Sequence, residues 1–260
     1  MIKILETILR DGFMLVLTQD KLDPVRTAEA LMKAGLNNME ITCRLKEPFA
    51  KIKAVKQQFP DFACGVASLV DAPDFIKFYN KRTSGTRLPF VEQAVESGAD
   101  YIVSAMNFRD ETYRRFAGDI VMIPGCATVT EIVFQFAKGA NFCKFFPATQ
   151  LGGAEYVKAI DSAIHREISI IPIGGVRIDN IPYYVKEGVL VVSASIKCID
   201  KPVLDKILHD QDYALLTEEA KKIKDAVDAA RKDKYPSIDF KTVTIDKIRT
   251  VTGRDFNLER

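Results

Sequence analysis

The stretch Asn141-Phe142-Cys143-Lys144-Phe145-Phe146-Pro147 places a lysine in the middle of an apolar strand. Side chains alternate between the two faces of a strand, so Lys144 shares one face with Phe142 and Phe146. A lysine is almost never fully buried without a partner, and burial lowers the pKa of its ammonium group. Lys144 is therefore a candidate amine nucleophile. Taken alone, this stretch is also compatible with two other interpretations: Lys144 reaches solvent from the strand end, or it forms a structural salt bridge.

Apolar runs of similar length recur along the chain and alternate with amphipathic stretches. The runs that predict strands are Phe13–Leu17, Asn38–Thr42, Phe62–Ser68, Tyr101–Ser104, Val121–Pro124, Phe142–Phe146, Ile168–Ile173 and Leu190–Ser195. The stretches that predict helices are Pro24–Ala34, Phe49–Phe59, Thr130–Lys138, Glu155–His165 and Ile181–Glu187. This alternation indicates the α/β class and predicts a (β/α)8 TIM barrel. An open doubly wound parallel sheet is the alternative.

The domain prediction is a single barrel over residues 1–232 with an appended C-terminal segment over 233–260. At its start, Ile2–Arg10 predicts a short helix that closes the bottom of the barrel. Residues 79–90 contain several basic residues and predict an exposed insertion between the third and fourth strands. Thr217–Lys232 predicts the last barrel helix, and the basic residues of the appended segment predict a solvated face.

Composition excludes several classes of protein. The 260 residues carry 37 basic and 35 acidic side chains, which argues against a nucleic-acid partner. No apolar run approaches the ~18 residues of a membrane span, and the N-terminus does not have the pattern of a signal peptide. Five scattered cysteines without a C-x-x-C pair indicate reduced core residues and a cytoplasmic location. With only two histidines, the chain is a poor candidate for a zinc site or a histidine triad.

A second group of polar residues lies on the predicted strand Asn38–Thr42. Glu40 and Thr42 alternate with apolar residues, and an inward glutamate is costly unless it is paired or catalytic. Arg44 follows at the carboxyl end, where barrel enzymes place their functional residues. Its guanidinium suits a carboxylate ligand. The alternative is a structural salt bridge between Glu40 and Arg44 at the barrel rim.

The last two predicted strands end in small residues. Gly174 and Gly175 follow the seventh strand, and Ser195 ends the eighth. The loops after these two strands are the usual phosphate site of TIM barrels, because backbone amides can approach an anion there. A Gly-Gly pair alone is weak evidence, since most such pairs only mark turns. Its place in the predicted barrel favours a phosphate site.

Five motifs occur in the order found in one enzyme family. They are Glu40–Arg44 (EITCR), Gly65–Ser68 (GVAS), Ile123–Thr128 (IPGCAT), Lys144–Ala148 (KFFPA) and Gly174–Val176 (GGV). Together they resemble the 2-keto-3-deoxy-6-phosphogluconate (KDPG) / 4-hydroxy-2-oxoglutarate aldolase family, over about residues 13–196. The resemblance implies a (β/α)8 barrel, commonly trimeric, that needs neither metal nor cofactor. It also implies cleavage of a 2-keto-4-hydroxy acid to pyruvate and an aldehyde.

The resemblance assigns a role to each matching residue. Lys144 matches the Schiff-base lysine and Glu40 the acid/base. Arg44 and Ser68 match residues at the pyruvate carboxylate. The other matches line the pocket or hold the distal phosphate: Pro124, Gly125, Thr128, Gly174, Gly175 and Ser195, with Phe146 beside the lysine. The expected partners are the keto acid, pyruvate and two further copies of the chain, with no metal and no membrane.

Three departures from the family pattern concern the aldehyde half of the site. Ser104-Ala105-Met106-Asn107 stands where many members have Ser-Pro-Gly, and Ser193-Ala194-Ser195 replaces Gly-Gly-Ser. The side chains of Ser193 and Ala194, where the family pattern has glycine, predict a narrower phosphate site. Arg177 replaces a small residue and either adds charge for a phosphate or faces solvent. The open alternatives are other keto acids (4-hydroxy-2-oxoglutarate, 2-keto-3-deoxy-6-phosphogalactonate or an unphosphorylated sugar acid), another phosphate-binding barrel such as an isomerase, and a non-catalytic ligand-binding barrel.

Overall fold

The computed structural model describes residues 1–160 and 162–258. Its strands are β1 (Phe13–Leu17), β2 (Asn38–Thr42), β3 (Ala63–Leu69), β4 (Tyr101–Ser104), β5 (Val121–Ile123), β6 (Gly125–Cys126), β7 (Cys143–Phe145), β8 (Ile170–Pro172) and β9 (Val192–Ser195). β5 and β6 form one chain segment interrupted at Pro124, which has no N–H to donate to a ladder. They correspond to the single predicted strand Val121–Pro124.

All strand pairs are parallel, and they form two ladders that share this interrupted segment. The first ladder has the order β5-β4-β3-β2-β1-β9, and the second has the order β6-β7-β8. β8 and β9 lie next to each other and bring the two ends of the sheet together. The sheet therefore curls into the predicted (β/α)8 barrel, and the prediction is confirmed. The open doubly wound alternative is excluded because the last strand, β9, pairs with β1 on one side and lies beside β8 on the other, which closes the sheet.

Helices follow most strands and cover the outside of the barrel. They are α1 (Ile2–Asp11), α2 (Pro24–Lys33), α3 (Pro48–Gln58), α4 (Pro73–Arg82), α5 (Val91–Glu96), α6 (Asp110–Phe116), α7 (Val129–Lys138), α8 (Gly153–Ala159), α9 (Ser162–Glu167), α10 (Ile181–Lys186), α11 (Lys201–Asp210), α12 (Tyr213–Lys234) and α13 (Ile245–Thr252), with 3-10 turns at Thr149–Leu151 and Ile196–Cys198. Within the described part of the chain, no helix is both long enough and apolar enough to cross a membrane.

Two predictions about helices need correction. The predicted helix Glu155–His165 is two helices, α8 and α9; it also crosses Asp161, which lies outside the described residues. The predicted insertion at 79–90 begins inside α4, so only its last two-thirds, residues 83–90, form a loop. The helices α4, α6, α11 and α13 were not predicted from the sequence. These differences lie outside the sheet and leave the barrel unchanged.

The N-terminal helix closes the amino-terminal end of the barrel. Leu5, Ile8 and Leu9 of α1 are fully buried and pack with the interior residues Met14 and Tyr101. Their spacing places them on one face of the helix, so burial of that face fixes α1 against the strands. The sequence-based prediction of a helix that closes the bottom is confirmed.

The C-terminal segment packs on the same end of the barrel. Phe256 is fully buried, and its ring lies 5.4 Å from that of Phe142 in an edge-to-face arrangement. Asn141 Nδ2 donates to the Phe256 carbonyl at 2.7 Å. The predicted solvated basic face is wrong for Arg254, which is buried and donates to the Gly188 carbonyl at 2.6 Å. The domain boundary at residue 233 stays a prediction.

A fully buried arginine connects α12 to this end of the barrel. The Arg231 guanidinium donates to the carbonyls of Arg10 and Leu190 and lies over the Phe240 ring, 4.2 Å from its centroid. Gly12 is left-handed, with φ of 69°, and a Cβ there would overlap the Arg231 guanidinium. Only glycine fits this position without displacing the arginine.

We expect Gly12→Ala to destabilise the protein by about 2–5 kcal/mol, because a left-handed alanine costs ~1–2 kcal/mol and the overlap with Arg231 adds ~1–3 kcal/mol. Urea unfolding measures the change in the free energy of unfolding. Gly35→Ala is the matched control, since Gly35 has φ of 83° but no neighbouring atom within 4 Å of the place where an added methyl group would lie. Equal losses in the two variants would contradict a role for the Arg231 contact.

Candidate active site

A cavity of about 610 Å³ lies at the carboxyl ends of the strands. Barrel enzymes build their active sites at this end, and ligand sites have volumes of roughly this size. Among the residues proposed from the sequence, the cavity wall contains Glu40, Arg44, Ser68, Lys144, Phe146, Gly174, Gly175 and Ser195. The fold therefore brings together residues that are up to 155 positions apart in the chain, from Glu40 to Ser195.

Lys144 lies in the middle of β7, where its backbone N–H donates to the Pro124 carbonyl at 2.9 Å. Its side chain is only 6% exposed, and Nζ lies 4.9 Å from the ring centroid of Phe146. Burial lowers the pKa of Lys144; the Glu40 carboxylate opposes this shift and Arg44 adds to it. A lowered pKa increases the fraction of neutral amine, which is the nucleophilic form.

Glu40 lies inside the barrel on β2 and is 1% exposed. Its Oε1 accepts a hydrogen bond from Ser193 Oγ at 3.1 Å, whereas its Oε2 has no hydrogen-bond partner among the described residues. Burial raises the pKa of Glu40 to about 6, although Lys144 and Ser193 both act to lower it. Near neutral pH the group can thus accept or release a proton, as general acid–base chemistry requires.

Arg44 is exposed at the carboxyl end of β2 and does not form the alternative rim salt bridge with Glu40. Its Nε donates to Thr42 Oγ1 at 3.2 Å, and Thr42 Oγ1 in turn donates to Ser68 Oγ at 2.9 Å. Ser68 has a left-handed backbone with φ of 62°, an unusual conformation for a residue other than glycine. The chain of hydrogen bonds orients a guanidinium and a hydroxyl toward the same side of the cavity, an arrangement that suits a carboxylate.

The opposite side of the cavity is formed by backbone and basic side chains. Gly174 and Gly175 have φ of 95° and 79°, and a Cβ at Gly175 would overlap the Thr149 side chain. Arg177 and Lys197 also contribute to this wall. Arg177 is half-exposed and donates to Asp200 Oδ1 at 3.1 Å, so it both lines the cavity and faces solvent. This side suits an anionic group.

Three residues proposed from the sequence do not contribute to the cavity wall: Pro124, Gly125 and Thr128. A Cβ at Gly125 would lie 2.7 Å from the carbonyl carbon of Ala105, so the glycine allows the loop after β4 to approach. Thr128 Oγ1 caps α7 by accepting from Glu131 N at 3.3 Å, and Glu131 Oε2 accepts from Thr128 N at 2.8 Å. The spacing Thr-x-x-Glu is a sequence signal for this capping box. Contact of these three residues with a substrate stays a prediction.

Sequence reasoning missed two contributions to the site. The Ser193 side chain was expected to narrow the phosphate site, which is wrong, because its hydroxyl is buried and contacts Glu40. Leu88 lies in the cavity wall although it belongs to the predicted insertion at 79–90. Asn80 fixes its backbone through two bonds of 2.8 Å, one to the Leu88 carbonyl and one from the Leu88 N–H. No pattern in the sequence indicates that this loop reaches the cavity.

Comparison with known proteins identifies the family to which the chain belongs. The model of the KDPG and KHG aldolase family matches residues 5–217. The chain belongs to this family. It is therefore an aldolase. A 2-dehydro-3-deoxy-phosphogluconate aldolase of Treponema pallidum (strain Nichols) is 28% identical over 187 residues, covering 71% of this chain and 80% of that protein. A 2-dehydro-3-deoxy-6-phosphogalactonate aldolase of Escherichia coli (strain K12) is 27% identical over 160 residues, covering 61% and 70%.

Solved structures of similar proteins have the same fold. The 2-keto-3-deoxy-6-phosphogluconate aldolase of Zymomonas mobilis ZM4, solved with 3-phosphoglycerate, aligns with a TM-score of 0.65 and 24% identity, covering 85% of this chain and 94% of that one. A 4-hydroxy-2-oxoglutarate/2-dehydro-3-deoxyphosphogluconate aldolase from TTHB1 aligns with a TM-score of 0.67 and 20% identity, covering 87% and 99%. At these identities the likeness establishes the fold of this family member.

Proposed function

We propose that this aldolase is a class I enzyme that cleaves 2-keto-3-deoxy-6-phosphogluconate to pyruvate and glyceraldehyde 3-phosphate through a Schiff base on Lys144. The observation that carries the proposal is the placement of a buried lysine and a buried glutamate in one cavity. Lys144 and Glu40 both contribute to the wall, with Arg44 at its rim. This set supplies an amine nucleophile, a proton carrier and a carboxylate ligand.

The proposed reaction begins when the neutral amine of Lys144 attacks the keto carbon. The carbinolamine loses water to give a protonated imine, which accepts the electron pair of the breaking C3–C4 bond. Glu40 takes the proton of the C4 hydroxyl, and the aldehyde leaves. The remaining enamine is protonated at C3 and hydrolysed, which releases pyruvate and regenerates the amine. The pKa of about 6 for Glu40 suits a group that both takes and returns a proton.

The phosphorylated substrate is favoured by the basic and glycine-rich side of the cavity. Gly174, Gly175 and Ser195 offer backbone and hydroxyl donors there, and Arg177 and Lys197 add positive charge. The alternatives are 4-hydroxy-2-oxoglutarate, 2-keto-3-deoxy-6-phosphogalactonate and unphosphorylated sugar acids, which share the pyruvate half. We also propose a cytoplasmic homotrimer, an assembly state that sedimentation analysis of the purified protein would test.

Borohydride trapping with pyruvate tests the proposed chemistry directly. The reduced adduct is digested and located by peptide mass spectrometry. A pyruvyl adduct on Lys144 is the expected result, because only an imine is converted by borohydride into a stable secondary amine. Folded protein that yields no adduct at saturating pyruvate would favour the non-catalytic, ligand-binding barrel. Rates with each keto acid, with and without phosphate, then identify the substrate.

We expect Arg44→Ala to raise KM for the keto acid by roughly 10–100-fold, since a charge-assisted hydrogen bond contributes ~1.5–3 kcal/mol. Steady-state kinetics with KDPG measure the change. Arg44→Lys is the matched control, because it keeps the charge and loses the planar, two-pronged geometry. The KM of Arg44→Lys should fall between those of the wild type and Arg44→Ala. An unchanged KM in Arg44→Ala would show that the substrate carboxylate binds elsewhere.

A further inference from the structure

Ser193 is a buried polar residue whose position inside the barrel the proposed mechanism does not explain. It lies in β9 opposite Met14 of β1 and is 1% exposed. A hydroxyl in a protein interior requires hydrogen-bond partners, and the identity of those partners indicates what the residue does.

Two acceptors compete for the single proton of the Ser193 hydroxyl. Its Oγ lies 3.0 Å from the Met14 carbonyl oxygen and 3.1 Å from Glu40 Oε1. A carbonyl can only accept, and the same holds for the oxygen of a carboxylic acid that does not carry the proton. When Glu40 is ionised, Ser193 donates to Oε1. When Glu40 is protonated on Oε2, Oε1 can still accept from Ser193 Oγ, although a neutral oxygen is a weaker acceptor than an ionised one.

No water can lie beside the serine and share this role. The gap that separates Glu40, Lys144 and Ser193 on the interior side has no room for a water-sized sphere, and its other walls are apolar apart from the Met14 backbone. Ser193 is thus the one hydrogen-bond partner of the Glu40 side chain among the described residues. Oε2 has none, so it is the oxygen left to exchange a proton with a ligand in the main cavity.

We propose that Ser193 is a positioning residue that holds Glu40 Oε1 in both protonation states and reserves Oε2 for the reacting proton. This inference rests on the acid/base role of Glu40 in the proposed function. Ser193 can donate to Oε1 whether or not Oε2 carries the proton, so Oε1 keeps its hydrogen-bond partner while Oε2 gains or loses the proton. A glycine or alanine at 193 would lack this property.

The direction in which Ser193 shifts the pKa of Glu40 depends on which protonation state of Glu40 its hydrogen bond stabilises more. A hydrogen bond donated to a carboxylate favours the charged form, so Ser193 lowers the pKa of Glu40. Lys144 on β7 acts in the same direction. The remaining titratable group that interacts with Glu40 is the buried phenol of Tyr101 on β4, whose own pKa lies well above its usual range. Removing the Ser193 hydroxyl therefore raises the pKa of Glu40.

The test compares the pH dependence of kcat for the wild type, Ser193→Ala and Ser193→Thr. Ser193→Ala should move the acid limb upward by about one pH unit, because a hydrogen bond to a carboxylate shifts its pKa by roughly this amount. Ser193→Thr keeps the hydroxyl, so the acid limb of its kcat profile should lie at the wild-type pH. Ser97→Ala is the matched control: Ser97 is a buried serine whose hydroxyl also donates to a carbonyl, that of Ala94, at 2.6 Å, away from the cavity.

Carboxyl carbon NMR, with the Glu40 signal assigned by its loss in Glu40→Gln, measures the same pKa without turnover. An upward shift in Ser193→Ala by both methods supports the proposal. An acid limb and an NMR pKa at their wild-type values, or a kcat lowered equally at all pH values, would overturn it. The proposed function fails separately, through the absence of a pyruvyl adduct on Lys144 in the wild type, whereas the NMR titration still reports on Ser193.

Discussion

Lys144→Ala is expected to reduce kcat by at least about 10³-fold, because the covalent step requires an amine and Lys144 is the buried lysine among the described residues that line the cavity. Among the cavity-lining residues, Lys197 is the other lysine, but it is exposed at the opposite side of the cavity. Burial of Lys144 is what lowers its pKa, and an exposed lysine does not share that environment. Steady-state kinetics and borohydride trapping with pyruvate measure the two expected losses.

The fold should tolerate this substitution. Lys144 is 6% exposed, so its ammonium group loses hydration on folding, and alanine removes that cost together with some packing. Urea unfolding should therefore give a free energy of unfolding close to that of the wild type. Lys158→Ala is the control, since Lys158 is exposed on α8, where it pairs with Glu155 at 3.6 Å. Retained cleavage in Lys144→Ala, or an adduct on a different lysine, would disprove the assignment.

The inner layer of this protein could be predicted from its sequence because strand alternation leaves little freedom. Met39 and Ile41 pack with the helices while Glu40, between them, faces the cavity, as expected for a strand buried on both faces. The same rule places Cys143 and Phe145 outward and Lys144 inward. Prediction worked where one covalent constraint, the direction of successive Cβ atoms, decided the contact.

Two contacts could not be predicted from the sequence, because one depends on how far along the barrel axis a residue lies and the other on the conformation of a loop. Ser193 and Ser195 share a strand face, and the ladder register aligns Ser195 with Glu40 through Val16, yet it is Ser193 that donates to Glu40 Oε1. This register is set by closure of the whole sheet. Leu88 is held at the cavity by two hydrogen bonds with Asn80, which donates to its carbonyl and accepts from its N–H, and the conformation of such a loop leaves no periodic signal in the sequence.

Glu40→Gln is expected to lower kcat by ~10²–10⁴-fold, because the amide has the shape of the carboxyl group and cannot carry its proton. The fold should be retained: the glutamine amide can donate to Ser193 Oγ, which still donates to the Met14 carbonyl at 3.0 Å. The measurement is kcat for cleavage, compared with urea unfolding of the same variant. Glu40→Asp is the control, since it keeps a carboxylate but withdraws it by one methylene, and it should retain an intermediate rate.

The same variant separates the role of Glu40 from that of Lys144. The Glu40 carboxylate raises the pKa of Lys144, so its removal should lower that pKa further and leave more neutral amine at a given pH. Glu40→Gln should accordingly still form a pyruvyl adduct, with the pH dependence of trapping displaced toward lower pH, although cleavage is slow. A variant that cleaves at more than a tenth of the wild-type rate would require a different proton carrier. One that loses the adduct altogether would mean that Glu40 is needed to form the imine as well as to break the C3–C4 bond.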